Sequence, residues 1–291
     1  MIDATLYTDP GCPWAYSAGP SLAVLRWRFG DGLKWRIVMI GLSETRERYE
    51  RNGYTPARQI QGWQARFRPQ FGMPFGSAPR AHAAATGRAC RAIVAPRLQQ
   101  PELEWAALRA LQFGWFCTDL QMDEDEGIRE TLAAVPGLDA RAVIAALDSP
   151  EVEEAYERDR AETRTASGTP TEAQGKSAAT DGPVRYTAPS LIFSTADGGS
   201  LEAGGFQSTD AYDVCIANLD PSLPRTQPAG DALAALVPFG HGLTTQEVAA
   251  VMAPHLTPPD RGAALAELVG LVAEGAVKRI PVGDDAVWRI A

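Results

Sequence analysis

The sequence predicts an α/β core interrupted by a large helical insertion and followed by a small module of three helices and a hairpin. Three observations carry this: a strand-helix-strand pattern in the first 42 residues, roughly 145 residues with no strand-like run, and a proline-rich stretch at 220–231 beyond which the pattern begins afresh. At 291 residues the chain is long for one domain and short for two, which suits a core domain with an insertion and an appendage.

"ATLYT" (4–8) alternates and is rich in β-formers, and a turn with Pro10 and Gly11 leads from it into a segment whose Trp14, Leu22, Leu25 and Phe29 suit one helical face. After the "GDG" turn, "LKWRIVMIGL" (33–42) has apolar residues on both faces, as a buried strand of a parallel sheet would, and the three pieces make a right-handed βαβ unit. The next strand is "APSLIFST" (188–195). Between them, helices are expected at 79–99, 101–121, 125–135, 139–147 from Asp139, and 149–165 with Ser149 as cap and Pro150 in the first turn. Residues 164–182 have no large apolar side chain and read as a mobile loop. "LIFSTADGGSLEAGG" signals a hairpin at Asp197-Gly198, and a helix follows at 208–218.

The core domain is therefore expected over 1–220 with its insertion at about 55–165, a linker at 221–230 and the module at 231–291. The module reads as helices at 231–238, 244–253 and 259–275 and a hairpin across "PVGDD", a winged-helix-like order of elements. Its four basic residues against seven acidic ones suit packing or protein contact, with a partner or a second copy, better than DNA. The whole-chain charge of -9 likewise argues against nucleic acid or an anionic membrane as partner. No run approaches about 18 apolar residues, and the first residues read as a strand, so the expected location is the cytoplasm. The four cysteines are far apart, without metal or disulfide-framework spacing, so reduced thiols are expected.

The chemistry concentrates in "DPGCPWAYSAG" (9–19). Cys12 lies between a strand and a helix, with Pro13 at the first helical position. There the free N–H groups and the helix dipole favour the thiolate, lowering a pKa of about 8.5 towards roughly 3.5 to 7.5. Pro189 opens the third strand. A cis bond would lay the backbone of Ala188 beside the sulfur, with its N–H and C=O free for an extended substrate; a trans proline at a strand start fits the position equally.

"YTDPGCPWAY", the helical insertion, "TAPSLIF", the hairpin and the last core helix together resemble the DsbA-like branch of the thioredoxin superfamily over about residues 3–220. More narrowly, they are similar to its FrnE-like cytoplasmic members, relatives of 2-hydroxychromene-2-carboxylate isomerase and kappa-class glutathione transferase. The resemblance implies a thioredoxin fold, Cys12 as nucleophile, Pro189 as a cis proline and Ala188 as the residue whose backbone meets the ligand. It also implies no tightly bound cofactor and a low-molecular-weight thiol, glutathione or mycothiol, as partner. Ala15 departs from the pattern, standing where two-cysteine members have their resolving cysteine. A disulfide within the motif cannot form, and monothiol chemistry remains.

Trp14, Tyr16 and the "GMPFG" loop (72–76) with Phe75 are expected to shape an apolar cleft over Cys12, although core packing explains the aromatic spacing as well. "GGFQST" (204–209), with Gln207, offers N–H groups for a ligand carboxylate or else makes a tight turn. Cys90, Cys117 and Cys215 read as inert core thiols, with a distant resolving role for one of them as the lesser alternative, and His82, His241 and His255 lack metal-ligand spacing. The leading reading is a monothiol oxidoreductase or thiol transferase. The alternatives are a thiol-dependent isomerase or transferase in which the cofactor's sulfur reacts, and a binding protein with a residual site.

Overall fold

The computed structural model describes residues 1–291. β1 (Ile2–Thr8) turns Ile2, Ala4 and Leu6 to one face of the sheet, and Tyr7 to the other. The chain then enters α1 (Pro13–Ser17) and α2 (Gly19–Phe29). The single helix expected here is broken at Ala18, because Pro20 in the first turn of α2 has no N–H to continue the ladder. β2 (Leu33–Met39) runs parallel to β1, from Ile2 opposite Leu33 to Thr8 opposite Met39.

The helical insertion comprises α3 (Glu47–Arg51), α4 (Pro56–Gly62), a widened turn at Trp63–Phe67, α5 (Arg68–Phe71), α6 (Gly87–Gln99), α7 (Glu104–Cys117), α8 (Asp125–Leu132), α9 (Ala140–Ala146) and α10 (Pro150–Thr163). Asp139 and Ser149 cap α9 and α10 as expected. The helix expected at 79–99 begins only at Gly87, since Arg80 turns inward to the carbonyls of Gly114, Trp115 and Leu120 and holds the preceding chain out of helix. The one expected at 101–121 stops at Cys117, where Thr118 is extended and returns its hydroxyl to Gly114 O at 2.7 Å.

Residues 164–182 are not a featureless loop. They include α11 (Pro170–Ala173) and β3 (Ser177–Ala178), which pairs with β4 (Arg185–Tyr186). Polar contacts hold them: buried Thr171 donates to Glu202, and Asp181 collects Arg160, Arg164 and Arg185. An apolar-residue count misses such anchoring.

β5 (Ser190–Ser194) and β6 (Ser200–Ala203) form the expected hairpin, and α12 (Thr209–Leu219) follows with Ser208 as cap. The sheet order is β2-β1-β5-β6, with β5 antiparallel to β1. One face packs on Leu22, Leu25 and Phe29 of α2 and on Tyr212 and Ile216 of α12. No helix is long and apolar enough to cross a membrane.

The C-terminal residues form α13 (Ala232–Leu236), β7 (Leu243–Thr244), α14 (Thr245–Met252), α15 (Arg261–Ala273), β8 (Val277–Val282) and β9 (Asp285–Ile290), in the sheet order β7-β9-β8. β7, two residues long, has no sequence signal. α14 opens with a capping box between Thr244 and Glu247. This module shares a core with Ala23 and Val24 of α2. Its β8–β9 turn presses on the insertion: Asp284 accepts from Phe75 N (3.0 Å) and Arg68 Nε (2.5 Å). A Cβ at Gly283, whose φ is +53°, would meet the Phe75 carbonyl carbon at 2.8 Å.

Buried Arg109 on α7 pairs with buried Glu247 on α14 at 2.6 Å, tying the insertion to the module. Removing one member of such a pair leaves the other charge without water or partner. Glu247→Ala is therefore expected to cost about 3–5 kcal/mol in urea unfolding. Removing the exposed Arg158–Glu154 pair (3.8 Å) should cost less than about 1 kcal/mol. Equal losses would show that the buried pair does not hold the module in place.

Candidate functional site

Cys12 is the N-cap of α1, extended at φ -87° and ψ 116°, with Pro13 at the start of the helix. Its side chain makes no capping bond. The thiol instead donates to Ala188 O at 3.2 Å, and the Ala188–Pro189 peptide is cis. The Ala188 N–H has no acceptor within the chain. Two segments more than 170 residues apart thus meet sulfur to carbonyl.

Cys12 is 6% exposed. Burial pushes its pKa up to about 12, against the pull of the Ala15 N–H; the Asp9 carboxylate pushes it further up, and the Trp14 N–H and the Arg185 guanidinium pull it down. The expected lowering is therefore reversed in this arrangement. α1 is only five residues long, so its dipole is small, while loss of hydration acts in full.

Asp9 is wholly buried beneath the Cys12 turn, and burial raises its pKa. Its carboxylate accepts from Leu42 N (2.8 Å), Gly11 N and Thr86 Oγ1 (each 2.9 Å) and the Cys90 thiol (3.6 Å). Arg185 is 6% exposed, donates to Tyr186 O and Thr180 Oγ1, and leaves its Nε without a hydrogen-bond acceptor. The sequence reading gave neither residue a role. Asp9 stood within the quoted motif, and Arg185 three residues before Ala188; that proximity was the signal available.

Trp14 is half-buried among Phe67 (5.0 Å between centroids), Phe71 (5.8 Å) and Phe206 (5.7 Å), with Arg66 over its ring at 4.7 Å. Three of the other predicted positions point elsewhere. Tyr16 is fully buried and donates to Pro74 O at 2.7 Å, and Phe75, 1% exposed, packs against Tyr16, Trp63 and Phe116 in the core of the insertion. Neither faces a cleft; Phe71 and Phe206 stand beside Trp14 instead. Gln207 has its N–H on the Tyr212 hydroxyl (3.3 Å) and its side-chain amide on Gly204 O (2.8 Å), so the tight-turn alternative describes it.

All four cysteines are free thiols. Cys90 and Cys117 are committed to Asp9 and Pro74 O, respectively. His82 does meet Asp123 and Glu124, three potential metal ligands lying within 4.8 Å of one another. Its two ring nitrogens are already contacted by Gln121 (3.0 Å) and Arg46 (3.1 Å).

A parallel β1–β2 pair, an antiparallel hairpin beside it and a cysteine opening the helix after β1, opposite a cis proline, define a thioredoxin-type fold carrying a thiol at its sheet end. The chain belongs to the DSBA-like thioredoxin domain family, whose model matches residues 4–186. Among solved structures it is similar to a Nitrosomonas europaea chain assigned to the protein disulfide isomerases, at 16% identity and TM-score 0.56, over 75% of this chain and 96% of that one. It is also similar to a Streptomyces coelicolor chain of the DsbA oxidoreductase type (16%, TM-score 0.55, 76% and 91%). A third is the cytosolic disulfide reductase DsbM of Pseudomonas aeruginosa (18%, TM-score 0.50, 76% and 98%). No curated protein sequence matches.

Because alkylation follows the thiolate fraction, a thiol held at about 12 should react with iodoacetamide about tenfold faster per pH unit from pH 7 to 10. A plateau below pH 8.5 would overturn the buried-thiol description. Asp9→Asn removes a nearby negative charge and should raise the pH 8 rate about two- to tenfold, while Arg185→Gln should lower it by a similar factor.

Proposed function

We propose that the protein is a thiol-disulfide oxidoreductase or thiol transferase working through one thiol, Cys12, with a small thiol such as glutathione or mycothiol closing the cycle. The observation that carries the reading is the Cys12 sulfur 3.2 Å from Ala188 O, beside an unused Ala188 N–H, with Ala15 where a partner cysteine would stand. An extended ligand pairing with Ala188 takes the carbonyl that now holds the thiol proton. Released, the sulfur faces the Trp14 and Ala15 N–H groups, which favour its thiolate.

The thiolate attacks one sulfur of a disulfide R–S–S–R, forming Cys12–S–S–R and releasing RS⁻, which takes up the proton Cys12 gave up. A thiolate R′S⁻ of the small-thiol pool then attacks the mixed disulfide. Cys12 is regenerated as R–S–S–R′ leaves, so one thiol has been exchanged across the disulfide; a second R′S⁻ then converts R–S–S–R′ to RS⁻ and R′–S–S–R′, and the two external thiols together supply the two electrons of full reduction. Trp14, Phe71 and Phe206 offer an apolar surface to the substrate.

The protonated thiol also favours a second reading. In a thiol-dependent isomerase or transferase the cofactor's sulfur would react, and Cys12, as a hydrogen-bond donor, would orient it. Unpaired cysteines and the cytosolic DsbM relative support a cytoplasmic location. Exposed Val269 and Val272 on α15 leave a face of 231–291 for a protein partner or second copy.

The test is intact mass and peptide mapping after exposure to oxidised glutathione at pH 8.5. One adduct at Cys12, absent in Cys12→Ser, together with reductase turnover that falls to background in that variant, is expected. Turnover retained in Cys12→Ser with added thiol would favour the second reading. An adduct only at half-exposed Cys215, or none where the urea-unfolded chain takes up several, would overturn the covalent role of Cys12.

A further inference from the structure

An opening lies away from Cys12, between α7 and α8 on one side and the β8–β9 hairpin on the other. It encloses about 310 Å³, within the ~300–1,000 Å³ of small-molecule sites. Phe113 and Val135 from the insertion and Ile280 and Val287 from the hairpin give it apolar walls. Ile280 is left 37% exposed there.

The ionisable groups lining it are Arg109, Arg289, His241 and Glu130, of which His241 is kept neutral by burial and by the neighbouring Arg26, Arg109 and Arg289. Arg109 is neutralised by Glu247, and Glu130 is exposed to water. Arg289 is half-buried on β9, and it has no carboxylate within ion-pairing distance. Its Nε donates to His241 O at 2.9 Å, leaving the two terminal nitrogens for a further acceptor. A partly desolvated guanidinium with no counter-charge, set in apolar walls, calls for an anion attached to an apolar body.

We propose that this cleft binds a small amphipathic carboxylate, an aliphatic or aromatic acid, with its head on Arg289 and its body between α7 and the β8–β9 hairpin. The planar fork of Arg289 suits a carboxylate better than a lone hydroxyl. The hydrocarbon covers apolar surface that the module and the insertion leave uncovered between them.

Calorimetry on the full chain with octanoate and its neutral counterpart octanamide tests this. Octanoate should bind at one site, at least about tenfold more tightly than octanamide. Arg289→Met should remove that preference and leave octanamide binding unchanged; Ala110→Phe, which fills the cleft from α7, should abolish both. Far-UV circular dichroism and unfolding midpoints check that each variant folds. Equal binding of acid and amide by the wild-type chain, or none by either, overturns the proposal whatever the variants do. So does octanoate binding that survives Ala110→Phe, or concentration-dependent dimerisation by light scattering with no octanoate bound.

Discussion

The structure around Cys12 depends on one buried carboxylate. Asp9 ends the first strand and collects donors from three places: its own turn through Gly11, the chain after β2 through Leu42, and the start of α6 through Thr86 and Cys90. No salt bridge reaches it, so these hydrogen bonds, with the more distant charge of Arg185, compensate the loss of water. A site so dependent on its donors fixes their positions. It sets the insertion against the sheet at the point where the Cys12 turn emerges, and Gly11 must stay glycine, because a Cβ there would meet Thr86 Cγ2 at 2.6 Å.

The same carboxylate bears on the thiol. Helix N–H groups and Arg185 favour a thiolate, while burial and Asp9 oppose it, and in the closed arrangement the opposition is larger. Burial thus favours the protonated thiol, and in the proposed mechanism a ligand that changes these surroundings makes it reactive. Ala15 gives that balance its consequence in the proposed mechanism: with no second cysteine in the motif, no disulfide forms within it, and a bond made to Cys12 would last until a sulfur arrives from elsewhere.

Much of the architecture was legible in sequence because it rests on periodic apolar residues and caps. The two parallel strands, the hairpin, α9 after Asp139, α10 after Ser149 and α12 after Ser208 all belong to that group. What escaped rests on long-range polar contacts. Residues 164–182 are held by Asp181 and Thr171, and 77–86 by the inward turn of Arg80, neither of which leaves a local pattern. Within the site, Cys12, Pro13, Ala188 and Pro189 could be placed because strand ends and turns fix them. Tyr16 and Phe75 could not, since an aromatic in a short helix or loop takes the side that packing leaves open, and here both turn inward.

α1 divides those two directions. Trp14, on one side, joins Phe67, Phe71 and Phe206. Tyr16, on the other, meets Phe75, Phe116 and the Cys117 sulfur at 3.5 Å, and Cys117 also lines the cleft beside the hairpin. Phe75 is gripped in turn by Asp284 and Gly283 of the C-terminal module. The linker that looks like a boundary in sequence therefore does not make the module independent. Without it, Ala23 and Val24 on α2 would lose their cover, Arg109 its counter-charge and the 68–76 segment its anchor at Asp284. Each of these losses falls on an element that supports α1, so the appended residues belong to the scaffold that positions the thiol.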